Sequence, residues 1–203
     1  MLLAAAVWTL LTSFPQGKLY RSEEEGARVV ALRAEGRLAA PPWAVRKVHS
    51  TVWLYPGVAP YLVERRVLAA DRCQDGARDL PGCRRVWAYE RYSPPVVVDR
   101  DYVFRVEIAT DELDAGGDFE IAWELDPSRA PPPPEDVVRM RRNTGAWRLS
   151  PDGDGTRFSY RISTDPGGDL PSWVVKAANE RQVPAVIASL EESARKLAAA
   201  ASR

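Results

Sequence analysis

Few residues in this chain could do covalent or metal chemistry. Its 203 residues include two cysteines, Cys73 and Cys83, and one histidine, His49. A structural zinc site of the Cys/His type needs more ligands than these, and nothing else in the sequence forms a metal cluster, so no metal and no cofactor are expected. His49 stands beside Ser50 and Thr51, but no G-x-S-x-G turn accompanies it. A nucleophile triad is therefore not expected, and the histidine reads as a surface or helix-packing residue. Glu191 and Glu192 read as solvated charge on an outer helix face. The run "DPGG" (Asp165, Gly167, Gly168) lacks the spaced glycines and lysine of a phosphate loop and reads as a turn. The cysteines flank "QDGARDLPG", a turn-rich stretch between two strand candidates. That spacing allows a disulfide clasping a hairpin if the protein is exported, and two thiols in cytosol.

These groups do not outline an enzyme, and the composition excludes other classes. Lys+Arg and Asp+Glu are equal at 28 each, so no field of one sign attracts nucleic acid, and no nucleic-acid partner is expected. A hydrophobic fraction of 45% with seven tryptophans describes a globular chain with an aromatic interior. The N-terminal apolar run in "MLLAAAVWTLLTSFPQGK" is too short for a membrane-spanning helix and lacks a basic n-region and a small-x-small cleavage site. The expected compartment stays open between cytoplasm and periplasm.

The elements that must position the side chains are mostly strands, read from period-two alternation. Residues 28–38 set Val30, Leu32, Ala34 and Leu38 against Arg33, Glu35 and Arg37. Residues 41–56, "PPWAVRKVHSTVWLYP", begin with prolines suited to a helix start and predict one or two short helices. "APYLVERRVLAA" alternates Tyr61, Val63 and Val67; "CRRVWAYERYS" sets Trp87, Tyr89 and Arg91 against Val86, Ala88 and Glu90; "RDYVFRVEIAT" sets Tyr102, Phe104, Val106 and Ile108 on one side. "GGDFEIAWELD" places Phe119, Ile121, Trp123 and Leu125 opposite Glu120, Ala122 and Glu124. "DVVRMRRNTGAWRLSP" and "TRFSYRIST" follow, joined by the hairpin signal "PDGDG". About seven strands with one apolar side predict an antiparallel sheet that must be covered. The cover is a final helix, with Asp169 as N-cap and Pro171 in its first turn, whose apolar stripe runs through Trp173, Val174, Ala177, Ala178, Ile187, Leu190 and Ala194. Pro184 is expected to kink or split it. The fold class predicted is α+β, one domain over residues 1–203, with a curved antiparallel sheet gripping a long C-terminal helix.

The stretches "PPVVVDRDYVFRV", "NTGAWRLSPDGDGTRFSYRISTDPGGDLPSWVVKAANERQVPAVI" and "WLYP" resemble the StAR-related lipid transfer (START) domain over about residues 8–196. The "DRDYV" strand and the "DPGG.LP.W" strand-to-helix turn carry the most specific part of the match. The resemblance implies a helix-grip fold around a closed hydrophobic tunnel holding one lipid-like molecule. Periodicity alone gives only an apolar face, which a filled core would also give. Some cholesterol-binding members place an arginine on the strand beginning "RDY", and matching without gaps puts Val106 there.

The inward set expected to line the cavity is Trp87, Tyr89, Arg91, Tyr102, Phe104, Val106, Phe119, Ile121, Trp123, Met140, Trp147, Phe158, Tyr160, Trp173 and Ala177. Each is individually a core candidate, and as a group they suit an apolar pocket. Arg91 would anchor a ligand head group, pair with Glu124 or Asp101, or reach solvent at a bulge. Arg100 and Asp101 read as a structural ion pair at the strand's start, with ligand contact as the alternative. The loop "DPSRAPPPPED" reads as a stiff connector or a gate at one end of the tunnel. Arg139, Arg141 and Arg142 of "RMRRN" form a solvated strand face or touch lipid head groups. The function expected is binding, and possible intermembrane transfer, of one hydrophobic molecule by a monomer with transient membrane contact. A polyketide cyclase or aromatase on the same fold and a ligand-gated regulator are the rival readings.

Overall fold

A computed structural model describes residues 7–23, 30–52, 61–77, 82–95 and 97–202. The chain forms β1 (Thr9–Phe14), β2 (Gly17–Glu23), β3 (Val30–Leu38), α1 (Pro42–Val52), β4 (Leu62–Cys73), β5 (Cys83–Tyr92), β6 (Asp99–Asp111), β7 (Phe119–Leu125), β8 (Val137–Arg139), β9 (Arg142–Asp152), β10 (Gly155–Asp165) and α2 (Ser172–Ala201). The strands make one sheet in the order β1-β2-β3-β10-β9-β7-β6-β5-β4. All neighbours on that path are antiparallel, and β8 adds a short parallel pairing to the start of β6.

Alternation fixes which side is inner. Leu32, Ala34 and Leu38 of β3, Phe119, Ile121 and Trp123 of β7, Trp147 and Leu149 of β9, and Phe158 and Tyr160 of β10 are buried on the side facing the helices. The β9–β10 hairpin turns at Gly153, whose positive φ of 63° the "PDGDG" sequence supplies. Trp123 lies across β9 because its partner there is Gly145: a Cβ at that position would come within 2.3 Å of the indole. Helix α2 closes the inner side with Val183, Ile187, Leu190 and Ala194, spaced as one stripe of a helix. Helix α1 packs beside it and buries Ala44, Val45 and His49.

Several details depart from the sequence reading. Among the described residues the strands number ten, since the N-terminal apolar run continues as β1, pairing with β2, and "VVR" forms β8. Helix α1 is described over Pro42–Val52, and "WLYP" lies outside the described residues. Pro184 does not split α2, which runs unbroken from Ser172 to Ala201 because Val183 and Ile187 anchor both sides of the proline. The residue at its N-cap is Pro171, not Asp169. Trp173 and Ala178 are exposed rather than inward, Ala177 is half-buried, and the side chain of Val174 lies outside the described set. Tyr61, Val63 and Val67 are exposed, because β4 is the edge strand and bulges shift its register twice. Glu191 is not merely solvated: its carboxylate accepts from the Ala39 amide and the Gln16 side chain, both at 2.6 Å, tying α2 to two turns of the sheet. Cys73 and Cys83 are disulfide-bonded across the β4–β5 hairpin.

Candidate functional site

The inner face is built mainly of rings. Trp147 stacks on Tyr160 at 4.2 Å between centroids, Trp123 lies 6.1 Å from Tyr160, and Tyr102 lies 5.1 Å from Phe104. Val106 and Ile121 are buried among them and Met140 is half-buried against them. Burial pushes the Tyr160 hydroxyl's pKa upward, so it stays protonated.

At one end this apolar face carries a polar group. Glu90 of β5 is 3% exposed. It pairs across the sheet with Tyr102 of β6 and Arg65 of β4. The Tyr102 hydroxyl donates to Glu90 Oε2 at 2.5 Å and the Tyr92 hydroxyl donates to the same oxygen at 3.0 Å. Arg65 Nη1 stands 3.5 Å from Glu90 Oε1. Tyr92 stacks on Tyr102 at 5.9 Å. Burial first, and the Glu90 charge second, push both tyrosine pKa values well above 10. Both rings therefore remain hydrogen-bond donors with lone pairs left to accept from a guest. The arrangement is suited to orienting a polar group by hydrogen bonds rather than to taking a proton, since both hydroxyls are held protonated.

Exposed apolar side chains stand at the same end of the sheet. Tyr61 and Val63 are at the start of β4 and Val98 precedes β6; all three are exposed. Trp173, in the first turn of α2, is 71% exposed.

The sequence reading mistook the two faces of β5. Val86, Ala88, Glu90 and Tyr92 lie inward, paired with Val106, Phe104, Tyr102 and Arg100. Trp87, Tyr89 and Arg91 lie on the outer face. The error has a physical cause: part of the outer face is covered too, so its large rings look like core. The segment after β7 provides contacts there. The Trp87 indole donates to Asp126 at 2.8 Å and Arg129 lies 4.6 Å over its ring, while Tyr89 is buried beneath Arg66. Arg91 stands 3.6 Å from Asp99 and 3.8 Å from Glu64, not with Glu124 or Asp101.

The expected Arg100–Asp101 pair does not form. Asp101 is fully buried on the outer side and accepts from Arg139 at 2.9 and 2.7 Å, and Arg139 also donates to the Pro131 carbonyl. Through these contacts the proline-rich loop braces the outer face. Arg141 and Arg142 are exposed. Gly167 and Gly168 have φ of 68° and 69°, and the Gly167 amide donates to the Asp165 carboxylate, which makes "DPGG" a turn. His49 lies 5.8 Å from Phe119 and 5.4 Å from Trp147, edge to face, and burial lowers its pKa to about 3. It is a neutral packing residue. Among the described residues no group of His, Cys, Asp and Glu could hold a metal ion, and no helix is long and apolar enough to cross a membrane. A surface groove of about 610 Å³, lined by Gln16, Pro41, Glu191 and Arg195, lies away from this site, along the C-terminal half of α2.

The sequence reading missed Arg65, Glu90 and Tyr92 as site residues. The signal was the small inward pair Val86 and Ala88, whose parity continues through Glu90 to Tyr92.

No family model matches the chain. An uncharacterized protein of Pseudomonas aeruginosa is 27% identical over 177 residues, spanning 84% of this chain and 78% of that one. A STAR-related lipid transfer protein from Xanthomonas axonopodis, solved as a fragment, superposes with a TM-score of 0.74 at 25% identity, covering 93% of this chain and 98% of that one. Human StAR-related lipid transfer protein 5 superposes at 0.73 with 16% identity, covering 94% and 87%.

Proposed function

From the premise that this chain is a START-type helix-grip domain, we propose that it takes up one hydrophobic molecule between its sheet and α2 and exchanges it at a membrane surface. The observation that carries this reading is the Arg65–Glu90 pair with Tyr92 and Tyr102, set into a mainly apolar inner face. A buried ion pair stabilises a core no better than apolar packing of the same volume. Its placement at one end of a ring-lined face suits a guest with a long apolar body and one polar end. Burying the body contributes about 25 cal/mol per Å² before the costs of binding. Binding and release involve no covalent step and no cofactor.

The exposed Tyr61, Val63, Val98 and Trp173 stand at the end where the polar group sits. Aromatic side chains favour the membrane interface, so these residues are suited to touch the bilayer during exchange. The test is transfer of a fluorescent lipid between donor and acceptor vesicles. The chain should raise the transfer rate, and Trp173→Ala should slow transfer several-fold while leaving lipid affinity unchanged. A chain that neither binds nor moves lipid from a panel of phospholipids, fatty acids and sterols overturns the reading.

A further inference from the structure

One cation beside this polar group has no anion among the described residues. Arg100 begins the inner parity of β6, two residues before Tyr102, and pairs with Tyr92 of β5 and Val138 of β8. It is 5% exposed. Its guanidinium donates to the Val98 carbonyl, and its Nε is buried with no acceptor. Among the described residues no carboxylate stands within ion-pair distance of it. The nearby acids are engaged elsewhere. Asp101 faces the outer side and holds Arg139. Glu90 is occupied by Arg65 and two tyrosines. Asp99 stands by Arg91, and Asp165 accepts from the Gly167 amide.

A guanidinium cannot relieve its burial by losing its proton, as a lysine can, so the charge persists. The "DPGG" turn also lies directly beside it: a Cβ at Gly168 would stand in contact with Arg100 Nη2 at 3.7 Å, and the glycine has none. A buried cation with unused donors is expensive for an empty protein and favourable once an anion arrives.

We propose that Arg100 is an anion subsite, and that the molecule this domain binds is an amphiphile whose polar end carries a carboxylate or phosphate oxygen. The proposal rests on the reading of the domain as a hydrophobic-ligand binder and adds the charge of the ligand to it. The tyrosine hydroxyls, whose protons are held by Glu90, accept from a hydroxyl of such a head, and Arg100 takes the charge.

The test uses the full, delipidated chain and two matched pairs of probes, oleate against oleyl alcohol and oleoyl lysophosphatidate against monoolein, with affinities measured by titration calorimetry at fixed salt. The anionic member of at least one pair should bind about tenfold to a hundredfold tighter, as a charge-assisted hydrogen bond requires. Preference confined to oleate names a carboxylate, and preference confined to lysophosphatidate names a phosphate. Arg100→Met should erase the preference and leave neutral binding within about threefold, and Arg100→Lys should restore part of it. Ligand-free Arg100→Met should melt no lower than the parent, because an apolar chain replaces an unmatched buried charge. Equal binding of charged and neutral probes by the parent, or a preference that survives Arg100→Met, overturns the proposal while the hydrophobic-ligand reading stands. Failure of all four probes to bind overturns the proposal, and failure of the wider panel of phospholipids, fatty acids and sterols overturns the hydrophobic-ligand reading as well. If Arg100→Met does not fold, the parent's preference and its response to Arg100→Gln decide.

Discussion

Replacing His49 with glutamine tests whether the aromatic layer under α1 is as dry as its geometry says. His49 is 3% exposed and lies edge to face with Phe119 and Trp147. Two effects oppose each other there. Aromatic faces attract a desolvated cation by about 2 kcal/mol or somewhat more, whereas a charge without solvent costs several kcal/mol beyond that. Burial wins, and the folded pKa is lowered from 6.5 to about 3. The sign follows from linkage: between those values the unfolded chain binds a proton that the folded chain refuses, so stability is full above pH 6.5 and falls as pH drops toward 3. At pH 5 the loss from this group is about 2 kcal/mol, and at pH 4 it is about 3 kcal/mol. Other groups titrate in the same range, so the informative quantity is the difference between parent and His49→Gln. Urea unfolding of both at pH 8 and pH 5 should show the parent losing about 2 kcal/mol more than the variant. Parallel losses would refute the reasoning and mean that the folded histidine accepts a proton as readily as the unfolded one.

The ion pair and the disulfide give two further expectations. Glu90→Ala should destabilise by about 3–5 kcal/mol by leaving Arg65 with a buried charge, and adding Arg65→Met should recover part of that loss; additive losses in urea titrations would contradict the pairing. Chain recovered from an oxidising compartment should show no free thiol, and Cys73→Ser with Cys83→Ser should cost about 3 kcal/mol, the loop-closure estimate for so short a loop; an unchanged midpoint would show that the β4–β5 hairpin end needs no clasp.

The parts of this fold that face water on one side were legible in its sequence. β7 alternates Phe119, Ile121 and Trp123 with Glu120, Ala122 and Glu124, and the structure follows that pattern residue for residue. β5 does not work that way. With Trp87 and Tyr89 sheltered on its outer side, size pointed to the wrong face, and the inward Glu90 looked like a solvent residue. A charged residue on an inner face is readable only once its partners Arg65 and Tyr102 are known, and these come from other strands. The same holds for "DRDYV". Neighbours in sequence, Arg100 and Asp101 point to opposite sides of a strand and cannot pair; the partner of Asp101 is Arg139, supplied by a short parallel strand that no alternation revealed. The turn at "DPGG" was legible because only glycine accepts positive φ without strain.

The most direct test of the central claim is native mass spectrometry of the chain purified gently from its own host, followed by organic extraction and identification of what is released. The account predicts a single hydrophobic adduct at one per chain, lost on extraction and regained on incubation with the released molecule. A chain that is empty as purified, and stays empty when offered lipid extracts from that host, would mean that the rings fill the inner face and would contradict the account.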